Sequence, residues 1–248
     1  MPDKIIDPHY SRNATIIVSD QHLGSAASRP HCFAKFLDVL IAKPPKRLIL
    51  AGDLFELWNA NYKRLGPAEY RVVNKILSLA EQGTHLVYIP GNHDRAFRGF
   101  RKVTLGKIKI RNEYTLKSHH KRYLVLHGDE FDAFTSNHVV LSLILDQAYV
   151  ALIKFAAFCK RFVGLQISLA AQKHSQRYAS IVEKIRKAAL RYAHSRGVDG
   201  IIVGHTHWSE LVHDSQGLVY ANTGDWLETC SFVVVDEDVS VHDFRLPE

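Results

Sequence analysis

Five short clusters bring carboxylates, imidazoles and an amide together in a pattern suited to metal chemistry. They are Asp20-Gln21-His22, Gly52-Asp53, Gly91-Asn92-His93-Asp94, His127-Gly128-Asp129 and Gly204-His205-Thr206-His207. Singly, each has an ordinary explanation: a buried histidine bonded to backbone, an aspartate capping a helix, a turn. Five such clusters, each at the end of an apolar run, are hard to explain as separate accidents. The donors are oxygens and imidazole nitrogens with no thiolate, which suits Mn²⁺, Fe²⁺, Zn²⁺ or Mg²⁺. Two ions about 3.5–4 Å apart need a bridging oxygen ligand and a shell for each. A water between them becomes a hydroxide nucleophile at neutral pH, and both ions offset charge on a phosphoryl group. The adjacent glycines let the backbone turn sharply, so that successive side chains converge.

The elements that must position these clusters follow from local pattern. Ala14–Asp20, Arg47–Asp53 and His85–Gly91 are short, β-branched or aliphatic runs that end in polar turns, as buried strands do. Pro30 starts a helical stretch to Ala42, which Pro44-Pro45 ends. Pro67–Gln82 has helical periodicity with Tyr70, Val73, Ile76, Leu77 and Ala80 on one apolar face, and Gly83 is placed to stop it. This β-α-β-α-β start predicts a layered α/β domain with parallel strands. Residues 103–127 look extended, with Tyr123–His127 the strongest strand there, and 133–195 look like two or more long helices broken at Gly164. Val198–His205 returns to a buried strand. Short antiparallel strands follow from Glu210, with turns at 215–217 and 236–238. In open α/β sheets, sites form at the carboxyl ends of strands, where all five clusters fall.

Composition removes other classes. Cys32, Cys159 and Cys230 are three widely spaced cysteines with no C-x-x-C pair, which excludes a disulfide scaffold or Cys-rich metal site. No apolar leader or uninterrupted membrane span is visible, so a cytoplasmic chain is expected. The net charge of +7 is uneven. Residues 95–122 hold ten Lys/Arg and one acid, residues 131–196 hold ten and three, and the rest is acidic. Such segments are either solvated faces or the footprint of an anionic partner: a phosphorylated substrate, an anionic membrane or a nucleic acid.

The order D-x-H, G-D, G-N-H-D, H-G-D, G-H-T-H resembles the calcineurin-like metallophosphoesterase superfamily, from Asp20 to His207. The resemblance implies a four-layer α/β/β/α sandwich of two mixed sheets. It also implies two metal ions: Asp20, His22 and His207 on one, Asn92, His127 and His205 on the other, and Asp53 bridging. His93 would serve as general acid or charge stabiliser, with Asp94 orienting its imidazole.

Within that superfamily, 50–58 (LAGDLFELW), 126–132 (LHGDEFD), 204–208 (GHTHW) and 222–226 (NTGDW) resemble the UDP-2,3-diacylglucosamine hydrolases of lipid A synthesis. That likeness implies manganese and attack on a pyrophosphate, releasing UMP and a diacylated glucosamine 1-phosphate. His93 stands where the principal branch has Arg, so the chain looks more like the G-N-H-D branch. The expected organisation is one domain, 1–248, with a helical cap insertion at 131–196. That insertion is either a helical pair packing on itself or a cap for acyl chains, with Lys160 and Arg161 at headgroup level and Arg95 a phosphate contact. The expected partner is an amphiphilic phosphoester at an anionic inner membrane. A nuclease or nucleotide phosphodiesterase of the same superfamily is the rival, although the apolar insertion leans away from nucleic acid.

Overall fold

The computed structural model describes residues 10–57, 65–132 and 176–245. Most of the expected cap insertion, 133–175, lies outside the described residues, and Lys160 and Arg161 with it.

A seven-stranded sheet runs β12-β11-β1-β2-β3-β5-β4, and a five-stranded sheet runs β6-β7-β8-β10-β9. In the first, β1 (Thr15–Val18), β2 (Arg47–Ala51), β3 (His85–Ile89) and β5 (Ile108–Ile110) are parallel neighbours. Strand β4 (Thr104–Leu105) pairs antiparallel with β5, and β11 (Ser231–Val235) lies antiparallel between β1 and β12 (Val239–Asp243). In the second, β7 (Lys121–Val125) and β8 (Gly200–Val203) are parallel, with β6 (Tyr114–Ser118) antiparallel on β7. The closing segment is not uniformly antiparallel. Strand β9 (Glu210–His213) forms the expected hairpin with β10 (Val219–Asn222), but β10 returns parallel to β8. Both sheets are therefore mixed.

Strand alternation builds the layers. Ile16, Val18, Leu48 and Leu50 face the helices α1 (Pro30–Ala42) and α2 (Pro67–Glu81). Ile17, Ile49, Ala51 and Val87 point the other way, against Tyr123, Val125, Ile202 and Val219 of the second sheet. Leu124, Ile201, Val203 and Tyr220 form that sheet's outer face, covered by Ile185, Ala188 and Ala189 of α3 (Gln176–Ser195). With period 2 and apolar residues on both faces, each central strand is buried on both sides. The result is the four-layer α/β/β/α sandwich.

Helix α2 begins where expected, with Pro67 in its first turn and Glu69 accepting a hydrogen bond from the Gly66 N–H at 2.9 Å. Its buried face differs from the expected one. Val72, Ile76 and Leu79 are buried, whereas Tyr70 and Leu77 are 62% and 42% exposed. The i, i+4, i+7 row is narrower than the expected stripe, because α2 covers only one side of the sheet beside α1. No helix among the described residues is long and apolar enough to cross a membrane.

Trp226, 1% exposed, anchors the first core, with Phe33 and Phe36 rings at 4.6 and 4.8 Å. Trp226→Ala should lower stability by about 3–5 kcal/mol, because the rings around it cannot collapse into the space left. Urea denaturation checks this, and a midpoint unchanged from the parent contradicts it.

Candidate metal centre

The clusters meet at the carboxyl ends of β1, β2, β3, β7 and β8. The residues there adopt an unusual backbone. Asp20, His22, Asp53, His205 and His207 all have φ between 46° and 66°, in the left-handed region that non-glycine residues seldom enter. The strain turns each side chain sharply inward from its strand end. Gly52 (φ 99°) completes one turn, and a Cβ there would lie 2.1 Å from His127 Nδ1. A Cβ on Gly91 would lie 2.3 Å from Asp53 Oδ1. Both glycines let the backbone touch the site directly.

The hydrogen bonds fix which ring nitrogen faces the centre. His127 Nδ1 lies 2.9 Å from the Ala51 carbonyl oxygen, which can only accept, so Nδ1 carries the proton. Its Nε2 is left to face Asp53 Oδ2 at 3.3 Å and Asn92 Oδ1 at 3.1 Å. His22 Nδ1 donates to Glu56 Oε2 at 3.3 Å, and its Nε2 stands 3.8 Å from both Asp20 Oδ1 and Asp53 Oδ2. His207 Nε2 is 3.2 Å from Asp20 Oδ1, with Asp225 Oδ2 3.7 Å behind its Nδ1. His205 is held by its backbone N–H on Asp20 Oδ2 (3.1 Å) and by Nε2 on Asp132 Oδ2 (2.8 Å), which leaves Nδ1 as its donor atom.

Among the described residues, three groups offer ligand atoms within 4.8 Å of one another: Asp20, His22 and His207; His22, Asp53 and His93; Asp20, Asp53 and His127. Asp20 Oδ1 and His22 Nε2 are buried and make no hydrogen bond among the described residues. Two buried carboxylates ringed by imidazole nitrogens are a donor set that fits divalent cations. The electrostatics agree. Burial alone would lower the His22 imidazole, but Asp20, Glu56 and Asp53 outweigh it and push it up to about 10. Burial would likewise lower His205, and Asp132 raises it to about 9. Burial would raise the Asp20 and Asp53 carboxyls, yet the surrounding histidines hold both well below the ordinary range. The field of the buried carboxylates that draws protons onto these imidazoles would draw a divalent cation in the same way.

The structure revises the expected partner of His93. Asp94 is turned away, accepting from the backbone N–H groups of Leu54 (2.8 Å), Phe55 (3.3 Å) and Gly91 (2.6 Å) and from the Tyr88 hydroxyl (2.5 Å). It braces the loops after β2 and β3. The carboxylate against His93 is Glu56, 2.8 Å from Nδ1, which the His22 bond also uses. Burial would raise Glu56, but His22 and His93 draw it down to about 2. Arg95 is exposed on the short 3-10 helix Arg95–Phe100. Arg98 is the residue that links two clusters, with Nη2 2.7 and 2.8 Å from the Asp129 carboxylate oxygens. Glu56, Asp132 and Asp225 lie within the family-like stretches 50–58, 126–132 and 222–226, but no role is expected of them there; Arg98 lies outside every such stretch and is found only through its contact.

Among known proteins, a family model described as calcineurin-like phosphoesterase matches residues 14–209. A protein of Psychromonas ingrahamii named UDP-2,3-diacylglucosamine hydrolase is 26% identical over 240 residues, covering 90% of this chain and 94% of its own. One of the same name from Xanthomonas campestris pv. campestris is 26% identical over 244 residues, covering 90% and 96%. The solved structure of Chaetomium thermophilum Vps29 matches with a TM-score of 0.53 at 13% identity, covering 95% of this chain and 91% of that one, a likeness of fold.

The different tasks of Asp94 and Glu56 separate in stability. Asp94→Ala strands three backbone N–H groups and a hydroxyl, each costing about 1–3 kcal/mol when buried unpaired. It should therefore destabilise by several kcal/mol, and by more than Glu56→Gln, which keeps the side chain's shape and an oxygen to accept from His22. Equal urea midpoints for the two variants contradict this division.

Proposed function

The chain belongs to the calcineurin-like phosphoesterase family and is a metal-dependent hydrolase, and from that premise we propose that it cleaves the pyrophosphate of UDP-2,3-diacylglucosamine or a closely similar amphiphile, releasing UMP and a diacylated glucosamine 1-phosphate. The observation that carries the reading is the convergence of Asp20, His22, Asp53, His127 and His207 on one buried space. Asp20, His22, Asp53 and His207 would hold one divalent ion, and Asp53, Asn92, His127 and His205 a second, with manganese the proposed metal. Such ions, when bound, make water acidic enough to attack at neutral pH and draw charge from phosphoryl oxygens.

The chain's own residues do the rest. The Glu56 carboxylate, 2.8 Å from His93 Nδ1, stabilises the ring as an imidazolium, whose Nε2–H is the proton given to the leaving oxygen. Ala51 and Glu56 fix the tautomers of His127 and His22 before any ligand arrives, so no reorientation is needed in the reaction. Asp132 does the same for His205. The names of the curated relatives, matched over nine-tenths of this chain, support the choice of substrate. The apolar and basic insertion supports acyl recognition and peripheral contact with an anionic membrane.

Purified enzyme with Mn²⁺ is assayed on UDP-2,3-diacylglucosamine, its deacylated form, bis-p-nitrophenyl phosphate, p-nitrophenyl phosphate and single-stranded DNA. Preference for the acylated sugar nucleotide is expected. Equal turnover of the deacylated form overturns the lipid reading, and preference for DNA moves the chain to the nuclease reading. Asp53→Ala should abolish hydrolysis of every substrate with the fold retained. His93→Ala should slow turnover by about 10²–10⁴-fold with metal content unchanged. Loss of a metal equivalent from the His93 variant makes that residue a ligand instead.

A further inference from the structure

Cys32 and Cys230 lie 198 positions apart in sequence, yet their sulfurs are 3.3 Å apart. Both are free thiols and both are buried. Cys32 is in the first turn of α1, beneath Pro30. Cys230 ends the loop before β11 with a left-handed backbone, φ 52°. Arg29 Nη1 reaches this loop, 3.2 Å from the Glu228 carbonyl oxygen and 3.6 Å from Cys230 Sγ. Nothing in the hydrolytic centre uses either sulfur.

We propose that Cys32 and Cys230 form a peroxide-reactive dithiol that closes to a disulfide. The geometry supports closure because the sulfurs already touch, and a bond of about 2.05 Å needs an approach of little more than an ångström. Cys32 is the attacking sulfur. It sits at a helix N-terminus, where the aligned backbone N–H groups favour a thiolate. The hydrogen bond from Cys230, and the Arg29 charge beyond it, hold the Cys32 thiol below its ordinary range, while Cys230 is pushed up. The pair is only 6% and 3% exposed, which keeps bulky disulfides out and requires a small neutral oxidant.

The chemistry balances with hydrogen peroxide as oxidant. The Cys32 thiolate attacks one peroxide oxygen; an S–O bond forms, the O–O bond breaks, and hydroxide leaves and takes the Cys230 proton as water. The Cys230 thiolate then attacks the Cys32 sulfenic sulfur; the S–S bond forms, the S–O bond breaks, and the departing hydroxide leaves as water after taking up a proton. Two thiols lose two electrons, and one peroxide becomes two waters.

The bond would pin α1 to the 222–230 loop. That loop carries Trp226, whose backbone N–H donates to the Asp20 carbonyl at 3.1 Å, and Asp225, which stands behind His207. The proposal does not depend on which phosphoester is hydrolysed.

The test treats the purified full-length chain with hydrogen peroxide, unfolds it, alkylates free thiols and maps peptides by mass spectrometry. One Cys32–Cys230 cross-linked peptide, 2 Da lighter than its reduced parts and reopened by dithiothreitol, is expected, with Cys159 alkylated. In Cys230→Ser, dimedone should label Cys32; in Cys32→Ser, Cys230 should remain unlabelled. Full alkylation of Cys32 and Cys230 after peroxide overturns the proposal, as does pairing of either with Cys159 or direct conversion of Cys32 to sulfinic acid in the parent. Dimedone labelling of Cys230 in Cys32→Ser overturns the assignment of the attacking sulfur.

Discussion

Two aspartates buried within reach of the same imidazole set the terms for the rest of the structure. Asp20 and Asp53 are 0% and 1% exposed, and His22 Nε2 stands 3.8 Å from each. Carboxylates removed from water must be balanced by positive charge and hydrogen bonds, or the fold pays heavily in desolvation. The protein supplies part of that balance through His22, His127 and His207, and among the described residues Asp20 Oδ1 and His22 Nε2 make no hydrogen bond. A site stabilised in this way favours a cation, and the left-handed turns at the strand ends are tolerable because the surrounding sandwich over-determines them.

The layers explain why such a strained site holds its shape. Strands β1 to β3 are packed on both faces, so their carboxyl ends are fixed before the loops leave them. The loops then brace each other. Asp94 gathers N–H groups from the turns after β2 and β3, and Arg98 ties the turn after β3 to that after β7. Glu56 serves two rings at once, His22 and His93. Histidines whose outer nitrogen is bonded to a fixed acceptor lose little freedom on binding, which is how an outer ring of contacts tunes an inner one.

Much of this was legible in the sequence, for a physical reason. A buried strand that ends in a turn carrying a carboxylate, amide or imidazole is a local pattern, so Asp20, Asp53, Asn92, His127, His205 and His207 could be named and placed at strand ends. The alternation of the central strands could also be read, and with it the layering. What the sequence left open depended on side chains meeting across distance. Glu56 lies three residues beyond Asp53, in a stretch aligned beside Leu23 by an isolated parallel bridge, and nothing in its spacing points to His93. Asp94 invited pairing with His93 because the two are adjacent, yet neighbours leaving a tight turn point apart. The face of α2 was misjudged because periodicity admits several overlapping stripes, and only the sheet beneath selects Val72, Ile76 and Leu79. The return of β10 parallel to β8 is a matter of topology that strand propensity does not encode.

The proposed hydrolysis requires two cations that share Asp53. Crystals grown with Mn²⁺ and measured at the manganese absorption edge test it directly through an anomalous difference map. The account predicts two peaks per chain about 3.5–4 Å apart. One should lie against Asp20, His22, Asp53 and His207, and the other against Asp53, Asn92, His127 and His205. A single peak at full occupancy, or two peaks that do not share Asp53, would contradict it.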